Sequence, residues 1–158
     1  MIKVLFVCLG NICRSPMAEA IFRDMVKREG LDAYIEVDSA GTGDWHVGKP
    51  PHEGTRRLLD SKQISYAGLV ARQLTKEDLS TFDYILAMDE NNLAHILKLQ
   101  DEHTKAVITR LLDLNPNVAK KDVPDPYYTG NFDEVYDLLQ EACKLLLDKI
   151  KAEHQLPG

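Results

Sequence analysis

Cys8 and Arg14 bracket a short segment, Cys8-Leu9-Gly10-Asn11-Ile12-Cys13-Arg14-Ser15, that lies between an apolar run and a Ser-Pro pair. These residue types suit phosphoryl transfer to sulfur. The thiolate is the nucleophilic form of cysteine. A tight loop can aim successive backbone N–H groups at one centre and so hold an anion. A helix N-terminus behind it adds favourable potential for thiolate and phosphate alike. Arg14 can then close a two-pronged clamp on a tetrahedral oxyanion. Gly10 permits an unusual backbone angle or a close approach. Asn11 tolerates a left-handed conformation and can tie the loop down through its amide. Ser15 can cap the helix, and its hydroxyl can steady the sulfur as it leaves. The spacing of Cys8 and Arg14 recurs by chance; its position between strand and helix gives the motif its force. The Gly-Lys-[Ser/Thr] ending of a nucleotide P-loop is absent.

The elements needed to position this loop can be read on either side of it. Ile2–Cys8 is nearly continuous apolar sequence, as expected of a strand covered on both faces. A helix should follow from Ser15 as N-cap with Pro16 at its first position, burying Ala18, Ile21, Phe22 and Met25 and ending at Gly30. Tyr34–Asp38 reads as the second strand, Glu53–Lys62 as a helix and Phe82–Met88 as the third strand. A further helix carries Leu93, Ile96 and Leu97 on one side, and Ala106–Leu111 is the last strand. The final helix starts at Asn131, with Glu134 placed for a capping box. Its stripe is Phe132, Val135, Leu139, Ala142, Leu146 and Ile150. Alternating strands and helices imply an α/β fold: one domain over residues 1–158, with a parallel four-stranded sheet in flavodoxin-like order 2-1-3-4 and helices on both faces. Ligands of such sheets sit beyond the carboxyl ends of the strands, where Cys8 lies.

Composition narrows the function classes. A net charge of −6 argues against a nucleic-acid phosphate backbone and gives no support for an anionic membrane surface. No apolar run is long enough to span a bilayer, and the N-terminus lacks signal-peptide character. A cytoplasmic location is therefore expected, with export by a route independent of a signal peptide left open. Three cysteines in that setting do not read as a disulfide framework. The five histidines show no metal-ligand spacing, so no metal or other cofactor is expected. Cys143 reads as core, His95 as solvated, and Asp89 as the cap of the helix that follows it.

Cys8–Ser15, the Ser15–Ala20 continuation Ser-Pro-Met-Ala-Glu-Ala, and Asp125-Pro126-Tyr127-Tyr128 together resemble the low-molecular-weight protein tyrosine phosphatases. The resemblance continues through Asp38–Thr42, Ala71-Arg72-Gln73 and Phe82–Ile85, and so covers nearly the whole domain. It implies that Cys8 is the nucleophile, that Arg14 and the amides of Leu9 to Ser15 bind phosphate, and that Asp125 is the general acid. Asp125 stands between Pro124 and Pro126, which would stiffen a mobile loop. The resemblance makes Trp45, Tyr127 and Tyr128 the walls of a slot for phosphotyrosine, and Ser39 a support for Asn11. Phosphotyrosine proteins would be the substrates, with phosphate as product and inhibitor and no oligomeric state implied. One departure is clear: many relatives carry a histidine shortly before Ala71-Arg72-Gln73, where this chain has Ala67-Gly68-Leu69-Val70. Cys13 makes a redox pair with Cys8 conceivable, since a neighbouring thiol can resolve a sulfenic acid; its alternative is a small apolar residue packed behind the loop.

Three other reactions use comparable parts. Phosphoarginine phosphatases of this kind tend to place threonine at the position of Ile12 and to lack the paired tyrosines. Arsenate reductases relay oxidation through further cysteines, for which Cys143 alone is a poor relay. A cysteine phosphocarrier would have no use for Arg14 and Asp125.

Overall fold

The computed structural model describes residues 1–157. Four parallel strands, β1 (Ile2–Cys8), β2 (Ile35–Gly41), β3 (Tyr84–Ala87) and β4 (Val107–Arg110), form one sheet in the order β2-β1-β3-β4. The helices are α1 (Arg14–Arg28), α2 (Glu53–Ser61), α3 (Lys76–Thr81), α4 (Glu90–Lys98), α5 (Pro126–Thr129) and α6 (Phe132–His154). The expected architecture and strand order are met.

β1 is a central strand, which explains its continuous apolar run from Val4 to Cys8. Val4, Phe6 and Cys8 enter the core formed with α1, α2 and α6, while Leu5 and Val7 enter the core under α3 and α4. A period of two therefore buries every residue from Val4 to Cys8, because both faces are covered. Phe6 meets Phe22 of α1 edge to face, with ring centroids 5.7 Å apart. On α6 the stripe Val135, Leu139, Ala142, Leu146 and Ile150 is fully buried, and Cys143 lies in the same core. Asn131 caps α6 by accepting from the Glu134 N–H at 3.1 Å, and its amide donates to the Glu134 carboxylate at 3.0 Å.

Some boundaries differ from expectation for identifiable reasons. α1 begins at Arg14 with Cys13 at its N-cap, so Ser15 lies inside the helix and Pro16 at its third position. The Ser15 hydroxyl is committed to Cys8 and Asn11 and does not cap. β2 starts at Ile35 and runs on through Gly41, because Ser39, Ala40 and Gly41 pair with Phe6, Val7 and Cys8. Leu97 is exposed; Ile96 is the buried apolar residue of α4, with Asn92 buried beside it. Helix α3 and the four-residue α5 are additional elements, too short to show a period.

The chain leaves β1 for β2 on one side and reaches β3 on the other. The strand order thus reverses at the carboxyl end of β1, where a crevice is expected. No helix among the described residues is long and apolar enough to cross a membrane.

Candidate active site

Cys8 ends β1 and Arg14 begins α1, so the intervening loop must turn within five residues. Asn11 makes this turn at φ 57°, in the left-handed region that asparagine tolerates. Its N–H donates to the Cys8 sulfur at 3.3 Å. The amides of Gly10, Ile12, Cys13 and Arg14 donate to no protein acceptor among the described residues, and so remain available to an anion. Gly10 allows a different approach from the one anticipated. A Cβ there would lie 2.9 Å from Cδ2 of His46, which packs over the loop.

The Asn11 side chain sets the direction of every hydrogen bond behind the loop. The Arg72 N–H, which can only donate, reaches Asn11 Oδ1 at 3.0 Å and thereby fixes the amide orientation. Asn11 Nδ2 then donates both its hydrogens, to Ser15 Oγ at 2.7 Å and to Ser39 Oγ at 2.9 Å. Both hydroxyls are left to donate outward. Ser15 Oγ lies 3.0 Å from the Cys8 sulfur and Ser39 donates to Glu19 Oε1 at 2.6 Å. With Cys8 as thiolate, Ser15 is the donor to sulfur, the polarity that stabilises the anion.

Glu19 was not singled out from the sequence, yet it terminates this chain of hydrogen bonds. Leu69, in the Ala67–Val70 segment, is buried. Burial pushes the Glu19 carboxyl up to about 7; the Ser39 hydrogen bond, Arg23 and Arg72 oppose the shift, and Asp38 adds to it. The folded state therefore binds this proton more tightly than the unfolded chain. The resulting stability is fully present below the unfolded carboxylate pKa and is lost as pH rises through 7. Relative to Glu19→Gln, the wild type should lose about 2–3 kcal/mol of unfolding free energy between pH 5 and pH 8. Denaturant titrations of both proteins at the two pH values measure this; a pH-independent difference would refute it.

Arg14 is almost wholly buried, and three groups hold it. Nη1 donates to Asp89 Oδ2 at 2.7 Å and to the Val123 carbonyl at 3.0 Å, and Nη2 reaches Asp125 Oδ2 at 3.3 Å. Burial opposes its charge, but Cys8, Asp89 and Asp125 outweigh that and raise its pKa further. Asp89 has two tasks. Oδ1 caps α4 by accepting from the Asn92 N–H at 2.8 Å, as expected, while Oδ2 orients Arg14.

Cys8, Leu9, Gly10, Ile12, Cys13, Arg14, Trp45, Asp125, Tyr127 and Tyr128, all anticipated, line one cavity of about 200 Å³. His46 lines it too, although its sequence context carried no metal or catalytic signal. Asn11, Ser15 and Ser39 lie behind the loop. Asp125 caps α5 by accepting from the Tyr127 N–H at 3.1 Å, so the Asp125 carboxyl and the Tyr127 ring are set by one turn. Trp45 and Tyr128 are exposed at the rim. Cys13 packs with Ile12 and Ala71 against Phe132, and burial, then Cys8, pushes its thiol up to about 12. At neutral pH its thiol is therefore protonated.

A family model described as low molecular weight phosphotyrosine protein phosphatase matches residues 3–156. The chain is 53% identical over 156 residues to the low molecular weight protein-tyrosine-phosphatase YfkJ of Bacillus subtilis, covering 99% of this chain and 100% of that protein. It is 45% identical over 156 residues to PtpA of Staphylococcus aureus (strain bovine RF122 / ET3-1), covering 99% and 98%. The crystal structure of YfkJ aligns with a TM-score of 0.92 at 52% identity, over 97% of this chain and 96% of that one. A drosophila arginine phosphatase aligns with a TM-score of 0.89 at 33% identity, over 95% and 98%.

Proposed function

The chain belongs to the low-molecular-weight phosphotyrosine protein phosphatase family, and on that premise we propose that it hydrolyses phosphotyrosine through a phosphocysteine on Cys8. One observation carries the reading. Sulfur, guanidinium and carboxyl, from β1, α1 and the turn before α5, face a single cavity whose other lining residues include Trp45, His46, Tyr127 and Tyr128 beside the loop residues Leu9, Gly10, Ile12 and Cys13.

In the first step the Cys8 sulfur attacks phosphorus in line with the tyrosyl oxygen. The S–P bond forms as the P–O bond breaks, and Asp125 gives its proton to the departing oxygen. Loop amides and Arg14 stabilise the charge that develops on the equatorial oxygens. Water then attacks phosphorus with Asp125 as base, the S–P bond breaks, and Ser15 donates to the leaving thiolate. The Arg14–Asp125 contact gives this cycle its order. A bound phosphate competes with Asp125 for the Arg14 guanidinium and leaves that carboxyl free to face the departing oxygen.

Tyr127 and Tyr128 supply faces for an aryl leaving group. A guanidinium leaving group would find one carboxylate on the cavity wall, Asp125, which the acid step already uses. The test is turnover of phosphotyrosine peptides and of phosphoarginine with EDTA present. Phosphotyrosine turnover that persists in EDTA is expected; rapid release from phosphoarginine without release from phosphotyrosine would overturn the substrate assignment.

A further inference from the structure

The aromatic wall rests on a histidine that belongs neither to the phosphate loop nor to the turn of Asp125. His52 is the N-cap of α2, and its Nδ1 accepts from the Gly54 N–H at 3.0 Å. A backbone N–H can only donate, so Nδ1 is the acceptor and the ring orientation is set. The His52 backbone N–H donates to the Ile12 carbonyl at 2.7 Å, which ties this cap to the phosphate loop.

The ring then touches both ends of the segment that carries the wall. It stacks on Phe132, the first residue of α6, with centroids 5.4 Å apart and planes 19° apart. It meets Tyr127 edge to face at 5.9 Å and 74°. Gly54 makes the stack possible, since a Cβ there would lie 2.3 Å from the Phe132 ring. Helix α5 has four residues, too few to hold its own shape in water. Tyr127 is half exposed, and its other ring neighbours, Tyr128 and His46, stand at the cavity. Stacked below on Phe132, His52 is the brace between α2 and the wall.

We propose that His52 is a positioning residue that sets the pocket's affinity for an aromatic leaving group by holding the Tyr127 ring, with Phe132 as its backing. The inference rests on the reading of Tyr127 as pocket wall. It predicts that ring recognition and phosphate recognition can be separated by substitution at one position.

Two variants divide the roles of the side chain. His52→Asn keeps an N-cap acceptor and removes the ring; His52→Phe keeps a ring and removes the acceptor. In His52→Asn the KM for a phosphotyrosine peptide should rise about threefold to tenfold, the scale of one aromatic contact. The Ki of inorganic phosphate, which engages only the loop, should change less than about twofold, and Tm should stay near wild type. In His52→Phe the KM should stay near wild type while Tm falls. An unchanged KM in His52→Asn would overturn the inference. So would a Ki that rises in step with KM, or a KM in His52→Phe as high as in His52→Asn. Those outcomes leave the substrate assignment standing, whereas absence of phosphotyrosine turnover in the wild type overturns the assignment and this inference together.

Discussion

Cys8→Ser will abolish turnover of both p-nitrophenyl phosphate and phosphotyrosine peptides, a loss on the order of a millionfold, the scale seen when a covalent nucleophile is removed. The hydroxyl is a far weaker nucleophile than the thiolate, and nothing else in the cavity can replace it. Cys13 lines the same space, but its thiol is held near 12, so it supplies almost no thiolate at neutral pH. The substitution should spare the fold. Cys8 is 3% exposed and its sulfur sits between the Asn11 N–H and the Ser15 hydroxyl, partners that a serine oxygen can also use. Phosphate binding by the loop amides and Arg14 should therefore survive in the inactive variant, measured by calorimetric titration with inorganic phosphate. Full activity in Cys8→Ser would overturn the mechanism.

Asp125→Ala should lower kcat on phosphotyrosine peptides by about 10²–10⁴, the contribution of a positioned general acid. The loss should be smaller on p-nitrophenyl phosphate, whose leaving group needs protonation less. Alanine also deletes the cap of α5, since the Asp125 side chain accepts from the Tyr127 N–H. Asp125→Asn separates the two effects, because asparagine caps well and cannot give up a proton in this way. Equal losses of kcat in the two variants, with KM raised only in the alanine variant, assign the carboxyl to chemistry and the cap to the wall. Equal losses on both substrates would exclude a proton-donating role. Stopped-flow and steady-state rates at fixed pH supply both comparisons.

What could be read early and what could not divide along sequence separation. The loop from Cys8 to Ser15 is local: strand end, turn and helix start lie within one stretch of chain, and their residue types report their own backbone needs. Asn11 at positive φ, the covered strand β1 and the stripe of α6 were all legible for that reason. Helix starts were less so, because Ser15 is a good cap by type and is diverted to Cys8 and Asn11 by contacts that α1 itself creates. Asp89 was read correctly as a cap and incompletely as a residue. Its second oxygen serves Arg14, 75 positions earlier.

The sequence by itself determined the strand-loop-helix that presents Cys8 and Arg14 together, since covalent proximity sets that geometry. Through family resemblance it also pointed to Asp125 and the two tyrosines. The tertiary structure alone decided what supports those groups. β3 lies beside β1, which brings Asp89 and the Val123 carbonyl to Arg14. α1 and β2 pack together, which sets Glu19 under Ser39. The cap of α2 lies against the start of α6, which places the His52 ring between Tyr127 and Phe132. The physical reason is common to all three. Side-chain periodicity reports which face of an element is buried, while partners across the core depend on strand order and register, which no single segment encodes.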